Sequence, residues 1–237
     1  ADPSGAAAAV EAVPAVSVDV LQWNPGVPVT IWRSVGYSYA TFVIESFADE
    51  LAAAAGQDPA AWRRARLAGQ PRHLAVLDLL LERAGWGAPL PPGRHRGLAL
   101  QEAFGTVVGQ VAEVSVTAGG SIRVHRVCCA VDCGTAINPD VVRQQMEGGI
   151  IFGLSAALHG EIRLEDGAVQ ESNFHDYRLL RLADAPDIDV HIVRSDAPPS
   201  GVGEPGVPPI APAVANAVFA ATGQRLRELP LRLPRAS

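Results

Sequence analysis

A single carboxylate lies between glycines in the segment Gly201-Val202-Gly203-Glu204-Pro205-Gly206. Glycines let a ligand or another backbone come close, and a carboxylate held in a pocket can act as a general base. A glutamate in an ordinary surface turn would have the same local sequence. The segment therefore predicts either a catalytic base, Glu204, or a solvated turn, and the rest of the chain has to decide between them.

Two further segments carry groups suited to binding. Trp32-Arg33-Ser34-Val35-Gly36 places a planar cation beside an aromatic ring, directly before a predicted helix whose N-terminus favours anions. Gln145 and the pair Gly148-Gly149 lie inside an otherwise apolar helix, where a buried amide needs partners and glycines admit a backbone or a flat ligand. Taken singly, these segments are equally consistent with a surface arginine and with glycines that pack helices.

Composition and missing motifs exclude several classes of function. The chain of 237 residues is 48% hydrophobic with a net charge of −6, which indicates a globular core and argues against a nucleic-acid partner. The sequence contains no nucleophile-elbow serine, Walker loop, zinc-protease helix or dinucleotide fingerprint. No run of residues approaches the roughly 20 apolar residues of a membrane span.

The three cysteines, Cys128, Cys129 and Cys133, lie within one short stretch. Their spacing matches neither a zinc site nor an iron-sulfur cluster, and the stretch is a predicted strand and its exit. Buried, inert thiols are the expected outcome. A thiol enzyme built on one of them is the alternative.

Hydrophobic periodicity predicts an α+β fold. Helical spacing predicts helices at 41–55, 59–66, 74–84, 139–158 and 212–221, with Asp58 and Asn138 as N-caps. Alternation and turn signals predict strands at 18–23, 97–101, 107–116, 122–131 and 188–194, and a small hairpin around 165–167. The predicted organisation is an extended lead-in at 1–27, a mainly helical part at 28–86, a linker at 87–93 and an α+β domain at 94–237.

From about residue 28 to its end, the chain resembles the C-terminal part of the molybdenum-binding large subunit of the xanthine dehydrogenase/aldehyde oxidase family. The resemblance is strongest to the isoquinoline 1-oxidoreductase-like branch, in which the beta chain is the equivalent polypeptide. It rests on four segments in the family's order: WRSVGYS at 32–38, CAVDCGTAINPDVVRQQMEGGIIFGLSAALHGEI at 129–162, SNFHDYRLLR at 172–181 and GVGEPGVPPIAPAVANAVFAATG at 201–223. The resemblance implies the molybdopterin-binding fold, with 28–86 belonging to the first cofactor domain and 94–237 to the second. The lead-in at 1–27 would complete an upstream domain.

The resemblance implies a molybdenum hydroxylase that oxidises an N-heteroaromatic compound or an aldehyde with oxygen derived from water. In that family the glutamate matched by Glu204 deprotonates a molybdenum-bound hydroxyl, and hydride passes to the sulfido ligand of the metal. A carboxylate beside a metal centre is suited to that role. The metal is held through the pterin dithiolene, so no side chain of this chain is expected to ligate it.

The resemblance also implies roles for other residues. The cofactor is expected to contact five of them and to form a hydrogen bond with Gln145: Gln145, Gly148, Gly149, Val202 and Gly203. The substrate pocket is expected to include four: Arg33, Trp32, Tyr37 and Gln101. Tyr37 and Gln101 stand where relatives commonly have histidine, which leaves the polarity of the pocket open.

Further components are expected from the resemblance. The cofactor would be molybdenum-molybdopterin in its cytosine dinucleotide form, and a small partner subunit would carry 2Fe-2S clusters, because this chain lacks the cysteines for them. The family's glycine-rich segments that grip the pterin are missing here, so a chain with the N-terminal part of the large subunit is expected as a partner. A cytochrome c is a candidate electron acceptor, and a bacterial periplasmic or membrane-associated location is expected. The chain lacks an initiator methionine, which indicates a split subunit or a processed piece. The alternative function is a non-catalytic interaction or structural subunit of such a complex.

Overall fold

The computed structural model of the protein describes residues 17, 19, 21 and 24–234. Its α-helices are α1 (Val35–Ala54), α2 (Pro59–Arg66), α3 (Pro71–Ala84), α4 (Pro139–Leu158) and α5 (Ile210–Thr222). Its strands are β1 (His95–Ala103), β2 (Thr106–Val116), β3 (Ile122–Asp132), β4 (Leu164–Glu165), β5 (Ala168–Val169) and β6 (Asp187–Ile192), with a short 3-10 turn at Leu182–Asp184. The mixed helix and sheet content confirms the predicted α+β class.

One four-stranded sheet, in the order β1-β2-β3-β6, forms the centre of the fold. β1, β2 and β3 pair antiparallel, while β6 joins β3 in parallel. A parallel neighbour needs a long crossover, and α4 lies within the connection from β3 to β6. This crossover brings α4 back to the sheet, close to the chain segment that precedes α5.

Both faces of the sheet are buried. One face packs Leu77 and Leu80 of α3 against Leu98, Val107 and Cys128, and Ala60 of α2 belongs to the same cluster. The opposite face packs α4 and α5 against the alternate strand residues, and this cluster includes Val108, Cys129, Met146, Ile150, Ile210 and Val214. Successive strand residues point to opposite faces, so neighbouring residues such as Cys128 and Cys129 belong to different clusters. Because the sheet is packed on both faces, it is expected to be rigid and to hold the helices and loops that contact it in fixed positions.

Local sequence signals account for most element boundaries. Asp58 Oδ1 accepts hydrogen bonds from the backbone N–H groups of Ala60 and Ala61, both at 2.9 Å, at the start of α2. Asn138 Oδ1 accepts from Asp140 and Val141 at 3.1 and 3.2 Å at the start of α4. These contacts confirm both predicted N-caps.

Two predictions need separate comment. α1 begins at Val35, six residues before the predicted start at 41. The prediction missed these residues because the first turn contains glycine, tyrosine and serine and has no periodic apolar pattern. The strand predicted at 18–23 and the lead-in lie outside the described residues apart from residues 17, 19, 21 and 24–27. α3 packs on the sheet and belongs to the same hydrophobic cluster. The predicted boundary between two domains at 87–93 stays a prediction.

Candidate active site

The WRSVG motif forms an unusual turn at the start of α1. Ser34 and Val35 both have left-handed backbone conformations, with φ of 78° and 42°. A β-branched residue rarely adopts positive φ, and such strained backbone clusters at functional sites. The N–H of Val35 donates to the carbonyl of Trp32 at 2.9 Å, which closes the turn. The two side chains that leave this turn, those of Arg33 and Ser34, both reach the segment that carries Glu204.

Arg33 joins three parts of the chain. Its Nε donates to the carbonyl oxygen of Gly203 at 2.8 Å, and its Nη2 donates to Gln145 Oε1 on α4 at 3.2 Å and also to Gly203. The guanidinium lies 5.7 Å from the centre of the Phe152 ring, which in turn packs against Trp32 at 4.8 Å between centroids. The planar fork of arginine is suited to such a double contact. The start of α1, the middle of α4 and the segment before α5 therefore meet at one cation.

The segment 201–206, here called the glutamate loop, is held by its backbone carbonyls. Ser34 Oγ donates to the carbonyl of Glu204 at 2.8 Å. Two side chains of β2 bind the ends of the loop: Thr106 Oγ1 donates to the carbonyl of Gly201 and Gln110 Nε2 to that of Gly206, each at 2.8 Å. With Arg33 on Gly203, side chains bind four of the six carbonyls. The backbone around Glu204 is thus positioned without use of its carboxylate.

The Glu204 side chain is half-buried, and its carboxylate makes no hydrogen bond or ion pair with any residue in the described part of the chain. Gln145 is half-buried as well, and its Oε1 is taken by Arg33. No described residue accepts a hydrogen bond from Gln145 Nε2. Among the described residues, the Glu204 carboxylate and the Gln145 Nε2 donor therefore have no partner, beside a loop whose backbone is firmly bound.

α4 lies directly against the glutamate loop because both contribute glycines. A Cβ at Gly149 would lie 3.1 Å from the carbonyl carbon of Gly206, and a Cβ at Gly206 would lie 3.2 Å from the Cα of Met146. One turn further along α4, a Cβ at Gly153 would lie 2.8 Å from the carbonyl oxygen of Val207. Gly148 differs, since it is exposed and a Cβ there would meet no described atom within 4 Å beyond the adjoining backbone of its own helix. Gly149 therefore packs the loop, while Gly148 faces open space.

The structure joins only part of the predicted set by direct contacts. Those brought together are Trp32, Arg33, Gln145, Gly149, Gly203 and Glu204. Val202 is partly buried against the large core cluster beside the loop. Tyr37 packs on the ring of Phe104 at 5.0 Å, and Gln101 is buried in β1, where it accepts a hydrogen bond from Thr41 and leaves its Nε2 unpaired among the described residues. No side-chain hydrogen bond joins either of them to the glutamate loop or to Gln145 within the described part of the chain, and their place in a substrate pocket stays a prediction.

Three residues that bind the loop were not singled out from the sequence. Ser34 lies inside the WRSVG motif, where the arginine drew attention instead. Gln110 is fully buried in β2, whose burial is continuous from Thr106 to Val114. An amide inside such an apolar strand needs a buried partner, and that rule would have marked Gln110. No comparable signal marks Thr106, since threonine is common in strands.

The three cysteines are free and buried, as predicted. Burial raises the pKa of the Cys128 thiol to about 11, and it raises the pKa of the Cys129 and Cys133 thiols as well. The thiolate is the reactive form, and burial disfavours it, so these cysteines lack the reactive thiolate that a thiol enzyme requires.

Within the described ranges, no three histidine, cysteine or carboxylate side chains gather closely enough to hold a metal ion. No helix in that part of the chain is long and apolar enough to cross a membrane.

The two groups that lack a partner in the described part of the chain fit a polar cofactor. Gln145 offers an amide donor, Gly148 leaves room where any other residue would place a side chain, and the Arg33 contact holds the amide in one orientation.

A model for the molybdopterin cofactor-binding domain family matches residues 92–186. Over 224 residues the chain is 39% identical to the beta chain of isoquinoline 1-oxidoreductase from Brevundimonas diminuta. The chain belongs to the molybdenum-binding subunits of the xanthine dehydrogenase/aldehyde oxidase family.

Two further similarities extend this result. The chain is 34% identical to a nicotinate dehydrogenase subunit of Pseudomonas putida over 237 residues, which cover 92% of this chain and 20% of that one. The aldehyde oxidoreductase of Desulfovibrio gigas has the same fold, with a TM-score of 0.65 at 14% identity over 84% of this chain and 40% of that one. The match to isoquinoline 1-oxidoreductase covers 93% of this chain and 29% of the relative. The chain therefore spans less than a third of the isoquinoline 1-oxidoreductase and nicotinate dehydrogenase relatives.

Proposed function

We propose that this chain is the base-bearing part of a molybdenum hydroxylase and that Glu204 is the general base. The observation that carries the proposal is that the Glu204 carboxylate has no partner among the described residues, on a loop whose backbone is bound by Arg33, Ser34, Thr106 and Gln110. The carbonyls of a solvated turn can bind water, so such a turn does not need four buried or half-buried side-chain donors. A general base benefits from them, because its efficiency depends on a fixed position relative to the proton that it removes.

The residues around Glu204 have distinct roles in this proposal. Molybdopterin, when bound, would supply the metal centre that takes up the hydrogen and the two electrons of the substrate C–H bond that breaks as the carbon–oxygen bond forms. Gln145 would hold the cofactor through its Nε2, and Arg33 fixes the orientation of that amide by binding Oε1. Gly148 and Gly203 leave room for the approach of the cofactor. Glu204 removes the proton from the attacking oxygen, which derives from water, and the carboxylate holds that proton while the carbon–oxygen bond forms.

The substrate proposed is an N-heteroaromatic ring or an aldehyde. Support for the first comes from the names of two relatives, which act on isoquinoline and nicotinate. Both relatives are named as single subunits, which supports a partner subunit. The proposal includes 2Fe-2S clusters on that partner and an onward electron acceptor such as a cytochrome c. The cytosine dinucleotide form of the cofactor belongs to the same proposal.

Oxygen labelling tests the reaction type. The assembled enzyme is expected to oxidise an N-heteroaromatic substrate such as isoquinoline in H2¹⁸O under unlabelled O2 and to give a product with one ¹⁸O atom, detected by mass spectrometry. Product incubated alone in H2¹⁸O controls for exchange. Incorporation of oxygen from ¹⁸O2 in unlabelled water would contradict the proposal, since a hydroxylase of this kind takes its oxygen from water.

A further inference from the structure

Helix α1 exposes a row of large apolar side chains. Val43 is 64% exposed, Phe47 55% and Leu51 42%, and these three residues are here called the α1 stripe. Residues four apart share one face of a helix, so the stripe runs along a single side for about 12 Å. Tyr39, one turn earlier, is 52% exposed. Contiguous apolar surface of this kind marks an interaction site more often than scattered exposed residues do.

The opposite side of α1 is polar and buried. Glu45 is 8% exposed and its Oε2 accepts hydrogen bonds from Arg63 Nε at 3.0 Å and from the backbone N–H of Leu100 at 2.8 Å. Asp49 is 5% exposed and binds Arg225 Nη1 at 2.6 Å. Rotating α1 to bury the stripe would pull both carboxylates out of these contacts. The ion pairs therefore hold the helix with its apolar side outward.

Charge on α1 narrows the choice of partner. The helix has three charged residues, all acidic: Glu45 and Asp49 are buried, and Glu50 is bound by Arg227 Nη2 at 2.7 Å. Helices that lie on membrane surfaces carry basic residues on their polar side, and α1 contains none. An apolar protein surface suits the stripe better than a lipid headgroup layer.

We propose that the α1 stripe is the docking surface for the polypeptide that corresponds to the rest of the large subunit, whether that polypeptide is joined to this chain or separate. The inference rests on the partner in the proposed function. The chain spans 29% of the isoquinoline 1-oxidoreductase relative and 20% of the nicotinate dehydrogenase relative, so most of each has no counterpart here. α1 follows directly on the WRSVG turn, so the docked polypeptide would lie next to the residues that face the cofactor.

Site-directed photo-crosslinking in the assembled enzyme tests the docking surface. Phe47 is replaced by benzoylphenylalanine, a substitution of similar shape at a solvent-facing position, and cross-linked peptides are identified by mass spectrometry. Cross-links to the remaining large-subunit polypeptide are expected. Cross-links to residues 1–23 of this chain, to a second copy or to lipid would overturn the proposal, and so would their absence in an assembly that is otherwise intact.

A charge substitution gives a second, independent readout. Phe47→Glu and Val43→Glu are each expected to lower the yield of assembled enzyme at least tenfold. Val169→Glu is the control, since Val169 is 54% exposed on the β4–β5 hairpin, and it is expected to leave the yield unchanged. Equal losses from all three variants would overturn the proposal.

Molybdenum content and turnover of the same preparations separate this inference from the proposed function. Turnover without cross-links at position 47 contradicts the docking surface alone. Cross-links without molybdenum contradict the proposed function alone.

Discussion

Replacing Glu204 with glutamine in the assembled enzyme is expected to lower kcat by a factor of about 100 to 10,000, the range typical of general base catalysis. Glutamine has nearly the same shape, but its amide does not accept a proton at neutral pH. The Glu204 carbonyl, not its side chain, makes the contact with Ser34, so the glutamate loop is expected to keep its place. The molybdenum content of the variant is expected to equal that of the wild type.

Glu165→Gln provides the control for that variant. Glu165 is an exposed residue of the β4–β5 hairpin, so the same chemical change there is expected to leave kcat unchanged. Steady-state turnover and metal analysis are measured on all three proteins. Wild-type turnover by the Glu204→Gln enzyme would refute the role of Glu204 as the base, and loss of molybdenum would show that its carboxylate serves binding instead.

Gly153→Ala is expected to destabilise the protein by about 1–3 kcal/mol, the usual cost of overpacking a dense core. The added methyl would lie 2.8 Å from the carbonyl oxygen of Val207 and 2.7 Å from Ile210 Cγ2. The first of these is a backbone atom directly after the glutamate loop, so relief of the clash has to move the loop or α4. We therefore expect the variant to lose turnover as well as stability.

Gly148→Ala is the matched control because it makes the same change on the same helix. The added methyl meets no described atom within 4 Å beyond the adjoining backbone of its own helix, and alanine favours the helix over glycine by about 1 kcal/mol, so its thermal midpoint is expected to be at or above that of the wild type. If the cofactor approaches Gly148 as proposed, molybdenum content falls in this variant despite its stability. Equal rises in the thermal midpoint of both variants would contradict the close packing of α4 on the loop.

Local signals in the sequence were sufficient for most element boundaries. The N-caps at Asp58 and Asn138 form as the residue types require, and the glycine after α3, Gly85, has the left-handed conformation that ends a helix. The apolar and glycine-rich interior of α4 correctly indicated a buried helix, since Met146, Ile150 and Leu154 are fully buried. These features depend only on residues a few positions apart, so they can be predicted from the local sequence.

α1 shows where pattern analysis fails. The apolar residues that predict this helix are Phe42, Val43, Phe47 and Leu51, and only Phe42 is buried. An amphipathic pattern assumes that the apolar side faces the core of the same chain. In α1 the core side is instead formed by Glu45 and Asp49, whose arginine partners come from distant positions, Arg63 and Arg225. Tertiary ion pairs of this kind leave no local trace in the sequence.

The candidate site was also only partly predictable. The motifs that resemble the family identify Glu204, Arg33 and Gln145, but not that Arg33 binds Gln145 and the Gly203 carbonyl at once. Nor did any pattern indicate that Ser34 adopts positive φ and binds the loop. These contacts join residues more than 100 positions apart in the chain. They depend on where the fold places α4 and the segment before α5, which no local pattern contains.

Metal analysis of the natively purified assembly tests the central claim most directly. The account predicts about one molybdenum atom for each copy of this chain, with a pterin released on denaturation and a co-purifying polypeptide that carries iron and sulfide. An assembly that oxidises its substrate with no molybdenum, or a homogeneous assembly that contains this chain without metal or pterin, would contradict the claim that Glu204 and Gln145 face a molybdopterin centre.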